Sequence, residues 1–211
     1  QTRLDAITRR HTALIRRPGF SEMAESDRMN NEILGFVLDQ RKRLAPFDSS
    51  RLPFVNDSGF FNQMSYVSRQ TRFVSADDYQ AYAARLTKLP RYFAQNRDNM
   101  RRGMEDGYTA NAGILVGVIE TVRTLSDGPV DAHPLFAPFA AIPDSFDPTE
   151  RERLTALGRA ALETSVLPAY AELLTFLETE YAPAARTEAG IGGTEAGRDY
   201  YRALTRNFTT L

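Results

Sequence analysis

Few residues of this sequence combine the type and the spacing that catalysis or metal binding requires. The chain has two histidines, His11 and His133, and no cysteine. A protein zinc site needs closely spaced His, Cys or carboxylate ligands, and neither a His-Glu-x-x-His motif nor a Cys pair occurs. His11 falls on the apolar face of a predicted helix and His133 precedes a proline, so we interpret both as structural. The sequence predicts no catalytic residue, no metal ligand and no cofactor site of its own.

Acidic pairs suggest a second kind of chemistry. The pairs Asp77–Asp78 and Glu178–Glu180 could serve a glycosidase if two carboxylates converged about 5–10 Å apart. Carboxylates on a helical protein usually face solvent instead. A phosphate-binding loop is not indicated, because "GIGGTEAG" lacks both the lysine and the preceding strand of such loops. A small helical enzyme that uses carboxylates alone therefore stays one of three hypotheses.

The elements that would position these residues are predicted to be helical. Leu4, Ile7, His11 and Leu14 recur at helical spacing, and the pattern repeats along the chain without a long apolar–polar alternation. The fold class is therefore predicted to be all-α: a multi-helix bundle or array in a single helical domain over residues 1–211.

Local signals predict where several helices begin and break. Ser75 with Asp78 forms a capping-box pattern, and "DPTE" from Asp147 is typical of a helix start. Pro90 and Pro168 are predicted to kink or interrupt long helices. Two segments rich in Pro, Gly, Asp and aromatic residues, 45–74 and 126–148, are predicted to be ordered but irregular.

Composition limits the partners. Apolar residues make up 42% of the chain and charged residues 25%, and the formal net charge is −1. These values are typical of a globular protein and give no electrostatic argument for binding nucleic acid. The longest apolar run, Ala112 to Ile119, is too short for a membrane span, so none is predicted. Gly113 and Gly117, one helical turn apart, are interpreted as a site of close helix packing.

The order of several local motifs resembles a known family. The motifs are "DRMNNEIL" (Asp27 to Leu34), "FFNQM" (Phe60 to Met64), "MRRGMEDG" (Met100 to Gly107) and "GGTEAGRDYYRALTRNFTT" (Gly192 to Thr210). This succession resembles the N-terminal part of the bacterial proteins catalogued as domain of unknown function 885 (DUF885). The resemblance spans nearly the whole chain.

The resemblance implies a larger protein. Family members are regarded as zinc-metallopeptidase-like helical proteins whose His-Glu zinc motif lies downstream of the double threonine. The chain is accordingly predicted to be an N-terminal, truncated fragment: the substrate-channel half of a peptidase-like zinc hydrolase, inactive alone, whose parent binds zinc and a peptide-like substrate. Family proteins often carry an export signal, so a periplasmic or lipoprotein-anchored parent is compatible with the sequence, as is a cytoplasmic one.

The resemblance also suggests which residues face the substrate. Adjacent residues on a helix point about 100° apart, so one of Tyr200 and Tyr201 can pack while the other faces a cleft. A hydroxyl there would bind substrate or stabilise the oxyanion of peptide hydrolysis. Asn62 and Gln63, short polar residues between aromatics, are candidates for the same wall. The alternative interpretation is that both tyrosines are structural.

A stand-alone helical binding or interaction module without enzymatic activity remains the third hypothesis. If a partner half is missing, apolar surface should be exposed or covered by a second copy in a homo-oligomer. The aromatic-rich segment from Phe47 to Phe73 is the predicted place for this surface.

Overall fold

The protein is all-α, as the sequence predicted. A computed structural model describes residues 2–16, 19, 22–55, 58–193 and 195–209. Within these ranges no β-strand forms, and extended backbone pairs only at isolated bridges, Phe54 with Gly59 and Asn111 with Arg186.

The described residues form ten α-helices. They are α1 (Thr2–Ile15), α2 (Glu25–Leu44), α3 (Gln63–Gln70), α4 (Ala76–Leu86), α5 (Leu89–Glu105), α6 (Ala112–Asp127), α7 (Ala137–Ala140), α8 (Pro148–Ala161), α9 (Leu167–Phe176) and α10 (Glu195–Thr209). Two π-helical segments, Leu162–Val166 and Leu177–Tyr181, continue α8 and α9. The helices fall into two compact units, a smaller one made of Gln1–Ser49 with Ala189–Leu211, and a larger one, Ser50–Glu188. A single helical domain over residues 1–211 stays a prediction.

The larger unit contains a continuous hydrophobic core. Helix α9 packs against α5 and α6, and α4 packs against α8. Tyr79, Phe93, Tyr170 and Tyr181 are among the largest fully buried side chains. Burial of one such aromatic side chain removes roughly 150–250 Å² from water, so these rings dominate the packing energy.

The smaller unit buries much less. Its helix α2 packs against α1 and α10. Among its described hydrophobic side chains, Leu38 alone is buried. Large apolar side chains on α1 and α2 are exposed instead: Ile7, Leu14, Ile15, Met29, Ile33, Leu34, Phe36 and Val37. We call these eight residues the α1–α2 apolar face.

The predicted helix signals are confirmed where they are described. The carboxylate of Asp78 accepts hydrogen bonds from the backbone N–H of Ser75 at 2.8 Å and from the Ser75 hydroxyl at 2.8 Å. Those bonds, with the hydroxyl bond contributing most, hold the pKa of Asp78 below its usual value. Asp147 accepts from the N–H groups of Thr149 and Glu150, which starts α8. These caps satisfy N–H groups that the first helical turn leaves unpaired.

The two prolines act differently. The helix is interrupted between α4 and α5. Pro90 lies in the first turn of α5, where its missing N–H costs no helical hydrogen bond. Pro168 lies inside a continuous run of helix, directly after the π-helical segment Leu162–Val166. A π-turn shifts the hydrogen-bond register by one residue, so it accommodates a proline that would otherwise clash with the carbonyl one turn earlier.

The prediction that the aromatic-rich segment is exposed is wrong. Phe54, Phe60 and Phe61 are 4%, 3% and 1% exposed, and Phe73 stacks on Tyr79 at a centroid distance of 4.8 Å. Aromatic rings pack edge to face here because irregular backbone brings them together on the helices. Val55 and Tyr66 of this segment are exposed, but the larger group of exposed apolar side chains is the α1–α2 apolar face.

The two α6 glycines do not mark close helix packing, contrary to the prediction. A Cβ built on Gly117 meets nothing within 4 Å, and one built on Gly113 meets only the Asn111 side chain at 2.9 Å. Asn111 caps α6 by accepting from the Gly113 N–H at 2.8 Å. Gly113 is thus the residue capped at the helix start, and Gly117 lies in open space.

Three buried tyrosine hydroxyls join the core helices to irregular backbone. Tyr170 donates to the Phe61 carbonyl, and Tyr82 donates to the Leu135 carbonyl at 3.1 Å. Tyr181 accepts from the Ala110 N–H at 2.9 Å. Burial raises the pKa of Tyr170 and raises the pKa of Tyr82 to about 12, so both stay protonated donors over the physiological range.

Replacing Tyr170 with Phe tests the strongest of these links. The variant keeps the ring but leaves the buried Phe61 carbonyl without its donor, so we expect a loss of about 1–3 kcal/mol in the free energy of unfolding. Chemical denaturation followed by circular dichroism measures this. Tyr66→Phe is the matched control, since Tyr66 is 52% exposed, and it should change stability by less than about 0.5 kcal/mol. Equal effects of the two variants would contradict the role given to Tyr170.

Candidate functional site

The candidate site consists of two shallow grooves on the larger unit. The first, of about 570 Å³, is lined among the described residues by Leu52, Pro53, Phe54, Val55, Ser58, Gly59, Asn62, Gln63 and Tyr66. The second, of about 310 Å³, is lined by Asn62, Ser65, Tyr66, Arg69, Thr121, Thr124 and Leu125. We call them the Phe54 groove and the Arg69 groove. Both include Asn62 and Tyr66, so the grooves meet at these two side chains.

A close backbone approach shapes the Phe54 groove. Val55 donates its N–H to the Ser58 carbonyl at 2.8 Å, and Phe60 donates to the Pro53 carbonyl at 3.4 Å. A Cβ on Gly59 would lie 2.3 Å from the Phe54 Cβ, a distance that side chains do not tolerate. Glycine at position 59 is thus required for the chain to fold back tightly enough to bury Phe54 and to turn into α3.

The predicted residues Asn62 and Gln63 both lie in the Phe54 groove. The Asn62 side-chain oxygen accepts from the Gly59 N–H at 3.1 Å, which fixes the carboxamide at the turn. The Gln63 side-chain oxygen accepts from the Tyr92 hydroxyl at 3.2 Å. That bond orients the exposed Gln63 side chain, and the amide N–H₂ at its other end can donate to a ligand.

Arg69 gives the second groove its charge. Its Nε donates to the Ser65 carbonyl at 3.1 Å, and its guanidinium carbon lies 5.2 Å from the centre of the Tyr66 ring. Neither contact involves an acid. Arg69 and Tyr66 were not predicted as site residues. Their spacing of three residues on α3, which places them on one helix face, was the available signal.

The tyrosines predicted to bind substrate belong to the smaller unit, on α10. Tyr200 packs on Phe47 with a ring-centroid distance of 5.2 Å, and Tyr201 is 63% exposed. One ring therefore packs and the other faces outward, as adjacent helical positions require. Their binding of substrate stays a prediction.

The histidines have structural surroundings. The Nε2 atom of His11 lies 2.9 Å from the Asn31 carbonyl. His133 is 3% exposed, and its Nδ1 accepts from the Leu135 N–H at 3.1 Å, so a neutral ring carries its proton on Nε2. Within the part of the chain that the structure describes, no three His, Asp or Glu side chains form a group that could hold a metal ion.

Three of the four acids in the two acidic pairs contact an arginine or cap a helix. Arg101 binds Glu180 through Nε at 2.9 Å and Nη2 at 3.0 Å, and this pairing lowers the pKa of Glu180. Arg123 pairs with Glu178, and Asp78 caps α4. A glycosidase acid needs a raised pKa, whereas hydrogen bonds lower the pKa of Glu180 and of Asp78. These two carboxylates therefore do not suit the role of the acid.

Comparison with protein families identifies the chain. The family model described as "Bacterial protein of unknown function (DUF885)" matches residues 1–211. The chain belongs to the DUF885 family. The resemblance inferred from the order of the motifs is thereby confirmed.

A solved structure shares the fold of this DUF885 chain. The structure of "the putative lipoprotein from Colwellia psychrerythraea" superimposes with a TM-score of 0.68 at 19% sequence identity. At this identity the likeness shows the fold alone. The match covers 74% of this chain and 27% of that protein, so the chain spans a minor part of its length. No curated protein matches the chain. Among the described helices of the DUF885 chain, none is long and apolar enough to cross a lipid bilayer.

Substituting Gly59 tests the backbone approach that forms the Phe54 groove. We expect Gly59→Ala to lower the free energy of unfolding by about 1–3 kcal/mol, because the new methyl group overlaps Phe54. Gly117→Ala is the control, since its Cβ meets nothing within 4 Å, and in a helix interior it should stabilise by roughly 0.5–1 kcal/mol. Thermal and chemical denaturation measure both. A neutral Gly59→Ala variant would refute the assigned geometry.

His133 should make stability depend on pH. Burial lowers the pKa of His133 from its usual 6.5 and outweighs the opposing effect of the Leu125 carbonyl. The unfolded chain therefore binds a proton more readily than the folded one, so this contribution to stability is complete above about pH 6.5 and is lost as the pH falls below it. We expect the free energy of unfolding to fall more steeply between about pH 7 and 5 in the wild type than in His133→Asn. The same pH dependence of the free energy of unfolding in wild type and His133→Asn would contradict the lowered pKa of His133.

Proposed function

We propose that this chain is the substrate-facing part of a larger peptidase-like zinc hydrolase and is inactive alone. The zinc ligands and the general base lie, in this proposal, on polypeptide beyond the 211 residues. The chain contributes a wall along which an extended, peptide-like substrate lies. The Phe54 groove and the Arg69 groove are the candidate wall of the larger unit. On the smaller unit, Tyr201 is 63% exposed and is the better placed of the two tyrosines to meet a ligand.

The observation that carries the proposal is the α1–α2 apolar face. Eight large apolar side chains on two helices are exposed, five of them on α2 alone: Met29, Ile33, Leu34, Phe36 and Val37. Soluble domains rarely leave so many neighbouring apolar side chains in water, since burial of each stabilises by about 1.5–3 kcal/mol. A covering layer of further helices from the same polypeptide would supply that burial.

The share of the similar solved structure supports the same proposal. This chain corresponds to 27% of that protein, whose remaining length is available for other elements. Within the described residues no metal-ligand cluster forms, so a hydrolytic metal centre would have to be built from other residues. The described lining of the grooves carries hydrogen-bonding groups and apolar side chains but no acid–base pair, which suits binding and orientation of a substrate.

A stand-alone binding module is the alternative function, and the same apolar face favours it if a separate partner covers that face. The two proposals predict different lengths for the open reading frame. The peptidase proposal requires that the reading frame extend past Leu211 into a His-Glu motif. A frame that ends at this residue, with the chain dimeric by light scattering, would favour the module and a second copy as the cover.

The catalytic test uses the full-length protein and single hydroxyl deletions. If Tyr201 supplies an oxyanion donor during peptide hydrolysis, Tyr201→Phe should lower kcat about 100-fold or more and leave the melting temperature nearly unchanged. Tyr200→Phe is the matched control, because the Tyr200 ring packs on Phe47. Kinetics on a peptide library measure the effect. Wild-type kcat and KM in both variants would make the tyrosines structural, and absence of any peptidase activity would refute the proposed function.

A further inference from the structure

The guanidinium group of Arg69 has two contacts, neither of them with an acid, among the residues that the structure describes. Its Nε is engaged by the Ser65 carbonyl, and the Tyr66 ring lies against it. Seven other arginines in the described part of the larger unit form a salt bridge with an acid: Arg51, Arg97, Arg101, Arg123, Arg151, Arg153 and Arg159. Arg69 differs, because its two Nη atoms contact no carboxylate of the described residues.

This arrangement suits a carboxylate. An arginine donates two parallel N–H bonds to the two oxygens of a carboxylate, and a guanidinium already fixed by its Nε and its face loses little entropy on binding. Among the described residues that line the two grooves, Arg69 is the one charged side chain. A single positive charge matches a ligand end that carries one negative charge, rather than a polyanion.

The rest of the surface suits a peptide chain attached to that carboxylate. The hydroxyls of Thr121 and Thr124 donate to carbonyls of their own helix, at 2.8 and 2.9 Å, so their lone pairs can accept backbone N–H groups. Beyond Asn62 and Tyr66 the Phe54 groove adds the Gln63 amide as a donor and an apolar lining that includes Val55, which is 57% exposed. Donors, acceptors and apolar lining thus follow the charged end.

We propose that the Arg69 groove binds the C-terminal carboxylate of a peptide whose preceding residues lie along the Phe54 groove. This inference rests on the proposed function, since it names the end of the peptide-like substrate that the wall recognises. Arg69 is a specificity-determining residue here: it forms a bidentate ion pair with the terminal carboxylate, and Tyr66 and Ser65 hold it in position.

The test is a binding titration of the 211-residue chain with fluorescein-labelled peptides. One apolar hexapeptide carries a free C-terminal carboxylate, and its partner is identical but amidated. We expect the free acid to bind about tenfold or more tightly, because the charged hydrogen bonds are lost on amidation. Arg69→Gln should abolish this difference. Arg72→Gln, at an exposed arginine outside the lining of both grooves, should keep it.

A second variant and a competition experiment make the result unambiguous. Arg69→Lys keeps the positive charge but loses the two parallel N–H donors of the guanidinium group, so it should retain only part of the preference for the free acid over the amide. This variant tests the proposal even if circular dichroism shows that Arg69→Gln does not fold. Acetate and inorganic phosphate should compete far more weakly than the peptide acid; equal competition would mean a simple anion site and overturn the proposal. Equal binding of acid and amide, or no saturable binding of either, would also overturn it.

These outcomes separate the inference from the function on which it rests. Equal binding of acid and amide peptides contradicts carboxylate recognition and leaves a peptide-binding wall intact. The proposed function is judged independently, by peptide hydrolysis in the full-length protein. A full-length protein without peptidase activity would refute the function even if the chain preferred peptide acids.

Discussion

The hydrogen bond from the Tyr170 hydroxyl to the Phe61 carbonyl is the constraint on which the grooves depend. Phe61 lies in irregular backbone, which has no helical partner for its carbonyl, and a buried carbonyl without a donor costs about 1–3 kcal/mol. Tyr170 stands on α9, the helix that packs on both α5 and α6. Because this one hydroxyl ties the segment to the centre of the core, the turn at Gly59 and the start of α3 at Gln63 have fixed positions. The wall of the candidate site is therefore anchored to the core by this bond and by the buried rings of Phe60 and Phe61.

The sequence predicted those parts of the fold that local interactions determine. The capping bonds of Asp78 and Asp147 join residues two to four positions apart, so their patterns are visible in a short window. The break before Pro90 is equally local. The prediction for Pro168 was less accurate, because the π-helical segment before it depends on how the long helix packs rather than on a residue pattern. Helix α3 was also missed, since its short polar sequence follows a run of turn residues.

The site could be predicted only in part, for a related reason. Asn62 and Gln63 were predicted as site residues because they are short polar residues between aromatics, and both line the Phe54 groove, although their binding of substrate stays a prediction. Arg69 looks like an ordinary surface residue until α6 brings Thr121 beside it, and no local pattern connects α3 with α6. The same limit explains the exposed surface. Aromatic content suggested that the segment from Phe47 to Phe73 would be uncovered, whereas its rings supply core packing that helices alone do not fill.

The two units differ in how completely each buries its own apolar side chains. The larger unit buries aromatic side chains from nearly every element, and the hydroxyls of Tyr82, Tyr170 and Tyr181 have partners within the same unit. Helix α2 of the smaller unit has apolar residues around much of its circumference, although α1 and α10 cover only part of it. A helix that is apolar on several faces is stable when each face has a neighbour. The grooves therefore lie on the unit that buries most of its own apolar side chains, whereas the eight exposed side chains of the α1–α2 apolar face lie on the unit that does not.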